Sequence, residues 1–236
     1  MHLTSAVIHP EKFPARDLYP FNLEVFHQTP AIAFHSPVTF FMGENGTGKT
    51  TLMDAIAEKC RIYSWQGLDK IRYNRSPYEK DFHRFISIQW TNGSVPGSFF
   101  SSQVFRNFAN LLDEWATSDP KILDYFGGKS LRSQSHGQSL MSFFRSRFNI
   151  KGLYLLDEPE TALSPKSQLE LLKIVKDMAE RGHAQFIIAT HSPILLACPQ
   201  AVIYDFDSAP ITTVTYEETD YYRIYKKFME NPAEFI

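Results

Sequence analysis

Eight consecutive residues, Gly43-Glu44-Asn45-Gly46-Thr47-Gly48-Lys49-Thr50, fit the spacing G-x-x-x-x-G-K-[ST]. Glycines at these places let successive backbone N–H groups turn inward and surround phosphate oxygens. A helix opening near Gly48 adds the positive end of its dipole. Lys49 would bring a full positive charge to the β- and γ-phosphates, and Thr50 a hydroxyl to Mg²⁺. The expected cradle runs from Glu44 through Asn45, Gly46, Thr47, Gly48, Lys49 and Thr50 to Thr51. A glycine-rich hairpin can give the same string. Here, however, an apolar run, Val38–Met42, precedes the loop, and Leu52, Ala55 and Ile56 recur at helical spacing after it.

Leu153-Tyr154-Leu155-Leu156-Asp157-Glu158 is a buried-strand pattern ending in two carboxylates. Ligands of open α/β sheets bind outside the carboxyl ends of the strands. Asp157 is therefore expected beside the phosphate loop, holding Mg²⁺ through water. Glu158 would be the general base that orients and polarises the attacking water. An acidic pair after a strand is often only a solvated turn; the phosphate loop upstream gives this one its meaning. His191 stands just past another apolar run, Ala184–Thr190, at the same edge. An imidazole there can hydrogen-bond a γ-phosphate and the water, although a lone histidine after a strand is more often structural.

Gln103 ends a candidate strand, Phe99–Gln103, just before a helical stretch, and would sense Mg²⁺ or its water. Gln89, after Phe85–Ile88, competes for that role. Ser135-His136-Gly137-Gln138-Ser139 precedes the apolar run Leu140–Phe144. Ser135 and Gln138 make an S-x-x-Q capping box, and a capped helix start containing glycine is an anion site. Ser135, Gly137 and Gln138 could meet the γ-phosphate of a nucleotide held by a second subunit.

These residues need elements to carry them. Val38–Met42, Leu153–Leu156 and Gln185–Thr190 read as buried strands, and His2–His9 and Glu24–Phe34 as further strands. The helix over Pro165–Arg181 has Ser164 as its cap, Pro165 at its first position and Gly182 at its stop. Phe105, Phe108, Leu112 and Trp115 follow a helical period, and helical character continues to about Phe148. A β-like pair lies near Ala201–Tyr216, and a last helix starts at about Asp220. Strands alternating with helices imply an α/β fold with a mostly parallel sheet covered on both faces. The expectation is one domain over 1–236, with an antiparallel β region at its N-terminal side and a helical subdomain inserted at about 104–148.

In order, GENGTGKT, Gln103, SHGQS, LYLLDEPE, TALS and THSP resemble the motif series of ABC-type ATPases across about residues 35–195. They correspond to the Walker A, Q-loop, signature, Walker B, D-loop and H-loop motifs. The resemblance implies a P-loop NTPase of ABC-ATPase type that binds ATP and Mg²⁺ and works as a head-to-tail homodimer. Each ATP would lie between one subunit's phosphate loop and the other's signature turn, so that Ser135 and Gly137 act in trans. Departures are informative. His136 stands where transporters usually have glycine, Ser164 where the D-loop usually ends in Asp, and Ser192-Pro193 follows His191 in place of an aspartate. DEPE and THSP look like the "AAA domain" ATPases between ABC proteins and SMC-like repair ATPases, a group that includes toxin–antitoxin and phage-defence components. Lys49 and Ser135 are 86 residues apart, too close for a long coiled-coil insertion.

Composition bounds the rest. Apolar residues make up 43% and charged residues 21% of 236, and the net charge is −2, so overall charge gives no push toward nucleic acid or anionic membrane. Cys60 and Cys198 lie far apart, which leaves zinc and thiol redox chemistry unsupported. No segment reads as a signal peptide or spanning helix, so the expectation is a cytoplasmic ATPase without membrane insertion. It would act as a switch on a protein or nucleic-acid partner; the alternative is the nucleotide-binding subunit of a transporter. Arg61, Lys70, Arg72, Arg75, Lys80 and Arg84 could contact phosphate, or form a solvated face with Asp69, Glu79 and Asp81. Phe13 and Tyr19 are the candidates for stacking on adenine.

Overall fold

Five apolar runs lie side by side. β5 (Gly97–Ser101), β6 (Gly152–Asp157), β7 (Ala184–Ala189), β3 (Val38–Met42) and β8 (Val202–Asp205) pair in that order, all parallel. β9 (Thr212–Val214) closes one edge antiparallel to β8. A separate antiparallel sheet places β1 (Leu3–Ile8) between β2 (Ala31–Ala33) and β4 (Ile86–Trp90). The computed structural model describes residues 1–62, 76, 78, 80–101, 111–126, 128, 130 and 136–236.

Every residue of β3 and β7 is buried, because the parallel sheet is covered on both faces. Successive side chains point to opposite faces, so Phe40 and Phe41 enter different cores. Phe40, Leu156 and Ile188 join the first core, with Phe144 of α4 (His136–Arg147), Leu171 of α5 (Pro165–Glu180) and Leu195 of α6 (Pro193–Leu196). Phe41, Leu155 and Ile187 join the second, with Leu52 and Ile56 of α2 (Lys49–Lys59) and with Leu3, Ala6 and Ile8 of β1. Each fully buried Phe or Leu stabilises the fold by roughly 1.5–3 kcal/mol before entropy is counted. The sheet thereby becomes a rigid shelf whose carboxyl edge can carry chemistry.

Local signals set the helix ends. Ser164 accepts a hydrogen bond from the Ser167 N–H at the start of α5, Pro165 takes the first position, and Gly182 adopts φ +75° just beyond its end. The C-terminal helix α7 (Asp220–Glu230) is capped by Thr219, which accepts from the Tyr222 N–H. Between β5 and β6 the described residues are largely helical: 111–118 (α3), the tight turns of Pro120–Phe126, and α4. Phe143, Phe144 and Phe148 lie in the first core, whereas Trp115 is 42% exposed. Phe105 and Phe108 lie outside the described residues.

One expectation fails. Glu24–Phe34 is not a single strand: Glu24–Gln28 forms the short helix α1, and only Ala31–Ala33 is extended. The physical reason is packing, since Phe26 sits 4.5 Å from the Phe82 ring and is fully buried beneath Gly48.

Candidate active site

The sheet register gathers the predicted residues. Asp157 of β6 is level with Ala189 of β7, Ala189 with Phe41 of β3, and Met42 with Asp205 of β8. The loop at 43–48, the pair Asp157-Glu158 and His191 therefore leave neighbouring strands at one edge.

The loop follows its glycines. Gly43, Gly46 and Gly48 take φ values of +138°, +90° and +104°, a region that side chains rarely adopt. A Cβ on Gly48 would come within 2.7 Å of the Phe26 ring, whereas one on Gly46 would meet nothing within 4 Å. The Glu44 N–H donates to Asp207 Oδ1 at 2.7 Å. The N–H groups of Asn45, Gly46 and Gly48 find no acceptor among the described residues. Lys49 Nζ is folded onto the loop, donating to the carbonyls of Gly43 (2.5 Å) and Glu44 (2.8 Å). Burial pushes the Lys49 ammonium below its ordinary value, against the pull of Glu158, Asp207, Asp157 and Glu44.

Thr50 Oγ1 lies 3.1 Å from both carboxylate oxygens of Asp157. Burial, with Glu158 alongside, pushes the Asp157 carboxyl up to about 7, although the Thr50 hydrogen bond opposes this. A polyphosphate beside Lys49 and a divalent cation beside Asp157 would reverse both penalties, so these residues fit Mg²⁺ with ATP. Mg²⁺ takes few protein ligands and keeps waters and phosphate oxygens around it. One carboxylate and one hydroxyl suit that habit, and no cluster of three or more His, Cys, Asp or Glu among the described residues forms a protein-only metal cage.

Glu158 is left-handed, with φ 47° and ψ 55°, a conformation that costs a non-glycine residue on the order of 1 kcal/mol. Such strain is found where a function holds it. Here it turns the chain sharply from β6 into Pro159–Ala162, with the Glu158 N–H donating to Ala189 O at 2.9 Å. The His191 imidazole, with Lys49 behind it, holds the Glu158 carboxyl below its ordinary value against the effect of burial. His191 Nε2 is 3.4 Å from Glu158 Oε1, too long for a well-formed hydrogen bond, and it is buried with no other partner among the described residues.

Three participants were not read from the sequence. Tyr221 of α7 donates its hydroxyl proton to Gly43 O at 3.0 Å, and the Tyr221 hydroxyl oxygen is 2.6 Å from His191 Nδ1. Glu160 accepts the His191 backbone N–H on Oε1 at 2.7 Å, and its other carboxylate oxygen is buried without a partner among the described residues. Asp207 steadies the loop through Glu44. The DEPE string contains Glu160 but not its task, and nothing near Tyr221 marks it as part of the site.

Other predicted residues lie elsewhere. Gly137 stands in the first turn of α4, where an added Cβ would be 3.7 Å from Ala162 O and 3.8 Å from Ser167 Oγ. The turn thus packs beside the segment that follows Glu158. Ser135 and Gln103 lie outside the described residues. Gln89 is on the antiparallel sheet, where Oε1 accepts from Ser5 Oγ at 3.0 Å. Phe13 packs against the rings of Phe21, Phe82 and Phe85, and the Tyr19 hydroxyl meets Thr51 Oγ1. Of the basic stretch, Arg84 pairs with Asp81 at 3.2 Å, while Lys70, Arg72 and Arg75 lie outside the described residues. A groove of about 650 Å³ runs behind His191 between α5, α6 and α7.

Comparison with known proteins agrees with this geometry. A family described as "AAA domain, putative AbiEii toxin, Type IV TA system" matches residues 140–197, and one described as "AAA domain" matches residues 21–57. The chain is 27% identical over 220 residues to the macrolide export ATP-binding/permease protein MacB of Psychrobacter cryohalolentis, covering 86% of this chain and 32% of that one. It is 24% identical over 178 residues to the probable siderophore transport system ATP-binding protein YusV of Bacillus subtilis, covering 70% and 64%. The chain thus spans about a third of the length of the macrolide export relatives. Among solved structures, a nucleotide-free ATP-binding cassette from an ABC transporter superposes with a TM-score of 0.56 at 14% identity, covering 100% of this chain and 99% of that one. The cbiO1 subunit of Clostridium perfringens gives 0.53 at 17% identity, covering 98% and 97%. In fold, site and relatives the chain is similar to P-loop ATPases of the ABC type.

Proposed function

We propose that this chain binds ATP with Mg²⁺ between two copies of itself, hydrolyses it at Glu158, and uses the cycle as a cytoplasmic switch on a protein or nucleic-acid partner. The observation that carries the reading is the convergence of Lys49, Thr50, Asp157, Glu158 and His191 on one sheet edge. Thr50 and Asp157 would hold Mg²⁺, with Gln103 as a further contact, and the bound ion would supply charge neutralisation at the phosphates. Residues 44–51 hold the phosphate chain by backbone N–H groups, and Lys49 exchanges its two carbonyl acceptors for phosphate oxygen. Glu158, kept ionised by its neighbours, orients water and accepts its proton. Ser135, Gly137 and Gln138 of the second copy close the site from the other side. The helices between β5 and β6 serve as the subdomain that carries this turn.

The sandwich is tested by sedimentation of Glu158→Gln with and without ATP and Mg²⁺. A dimer that appears with ATP supports it, and a monomer in both conditions contradicts it. Ser135→Arg should block that dimer while leaving nucleotide binding intact.

The "AbiEii toxin, Type IV TA system" description of one matching family supports a defence or toxin–antitoxin role for the switch. The names of the macrolide export and siderophore relatives favour a second reading, a nucleotide-binding subunit of a transporter. No helix among the described residues is long and apolar enough to cross a membrane; in that reading the membrane-spanning part lies outside them. A pull-down with Glu158→Gln and ATP separates the two. Stoichiometric recovery of a multi-span membrane protein would replace the switch with the transporter reading. Recovery of a soluble protein or nuclease-sensitive nucleic acid would support the switch.

A further inference from the structure

The Tyr221 hydroxyl is shared between two acceptor-capable atoms, Gly43 O at 3.0 Å and His191 Nδ1 at 2.6 Å. A phenol has one proton to give. Gly43 O is a carbonyl and can only accept, and it also receives Lys49 Nζ. With the Tyr221 proton on Gly43 O, the short contact to His191 is a hydrogen bond only if Nδ1 carries the imidazole proton. The opposite assignment would set Tyr221 Oη and Gly43 O against each other as two acceptors 3.0 Å apart. On the far side of the ring, Nε2 makes no well-formed hydrogen bond among the described residues: Glu158 Oε1 lies 3.4 Å away, so no strong bond there competes for the proton on Nδ1.

We infer that Tyr221 is a positioning residue for hydrolysis: it holds neutral His191 in the Nδ1–H tautomer and ties the ring to the first carbonyl of the phosphate loop. The inference rests on the reading of Glu158 and His191 as hydrolytic groups. Its consequence is a proton acceptor beside the base. A proton that Glu158 takes from water can pass from its carboxyl to Nε2, leaving the carboxylate free and an imidazolium whose Nδ1–H is already bonded to Tyr221. A hydrogen-bond partner on the second ring nitrogen is the usual means of fixing which nitrogen is bare. It also makes a helix far along the chain from the loop, α7, part of the site's alignment.

The test has a spectroscopic arm and a kinetic arm. The protein, free of nucleotide, is labelled with ¹⁵N-histidine. Its two-bond ¹H–¹⁵N spectrum is recorded on the alkaline side of the ring's titration, with His191 assigned by His191→Asn. The proton is expected on Nδ1 in the wild type and moves at least partly to Nε2 in Tyr221→Phe. An Nε2–H tautomer in the wild type, which needs no variant to observe, or an unchanged tautomer in Tyr221→Phe, would overturn the inference. In hydrolysis, Tyr221→Phe should lose kcat on the order of 10-fold, the scale for removing an outer partner of a functional imidazole, with KM for ATP little changed. A change confined to KM would contradict it. If wild type proves inactive, the functional reading fails, while the tautomer result still decides whether Tyr221 sets the ring.

Discussion

Thr50 Oγ1 sits 3.1 Å from both oxygens of Asp157, joining the first turn of α2 to the end of β6. Burial beside Glu158 holds this carboxyl at about 7, above its ordinary 3.8. The folded protein therefore keeps a proton that the unfolded chain releases between those values. The stabilisation from this group is present below about pH 4 and lost as pH rises toward 7. In chelator at pH 8, Asp157→Asn should stabilise the protein by roughly 1–3 kcal/mol while abolishing Mg²⁺-dependent hydrolysis. At pH 5 the gain should shrink. Thermal unfolding of wild type and variant at the two pH values checks this, and a gain over wild type no larger at pH 8 than at pH 5 would contradict it.

Gly46 and Gly48 both have positive φ, but only Gly48 is crowded. Gly48→Ala adds a clash with the Phe26 ring to left-handed strain of about 1–2 kcal/mol, so it should lower stability and nucleotide binding together. Gly46→Ala carries strain without a clash and projects a methyl from the cradle, so it should weaken binding with a smaller stability loss. Thermal shift and titration with a fluorescent ATP analogue separate the two effects.

Tyr154 is fully buried on β6, and its hydroxyl donates to Arg147 O at 2.7 Å, with Ile150 O also in contact. It ties the end of α4 to the strand that carries Asp157. Tyr154→Phe keeps the ring against Phe148 and Phe186 but leaves buried carbonyl oxygen short of a donor. The expected loss is about 1–3 kcal/mol, read as a lower denaturation midpoint in urea. An unchanged midpoint would show the tie to be idle.

Much of this was legible because the parallel strands are buried on both faces and appear as unbroken apolar runs, each ending where chemistry begins. The caps of α5 were equally plain in Ser164, Pro165 and Gly182. Glu24–Phe34 misled because Val25, Phe26, Ile32 and Phe34 all belong in the core, and their spacing suits a strand until Phe26 is seen to pack on Phe82. Tyr221 carried no signal, since its role depends on α7 folding back over a loop 178 residues away. Glu160 was visible as a carboxylate but not as the acceptor for the His191 N–H. That bond needs the strained turn at Glu158, which no local pattern announces.

In the proposed hydrolysis the base is Glu158. Purified wild type and Glu158→Gln, which keeps the side chain's shape and removes its basicity, should be compared for phosphate release from ATP with Mg²⁺. The wild type should release phosphate only when Mg²⁺ is present, and the variant should be slower by about 10²–10⁴-fold. Equal rates in the two proteins would contradict the assignment.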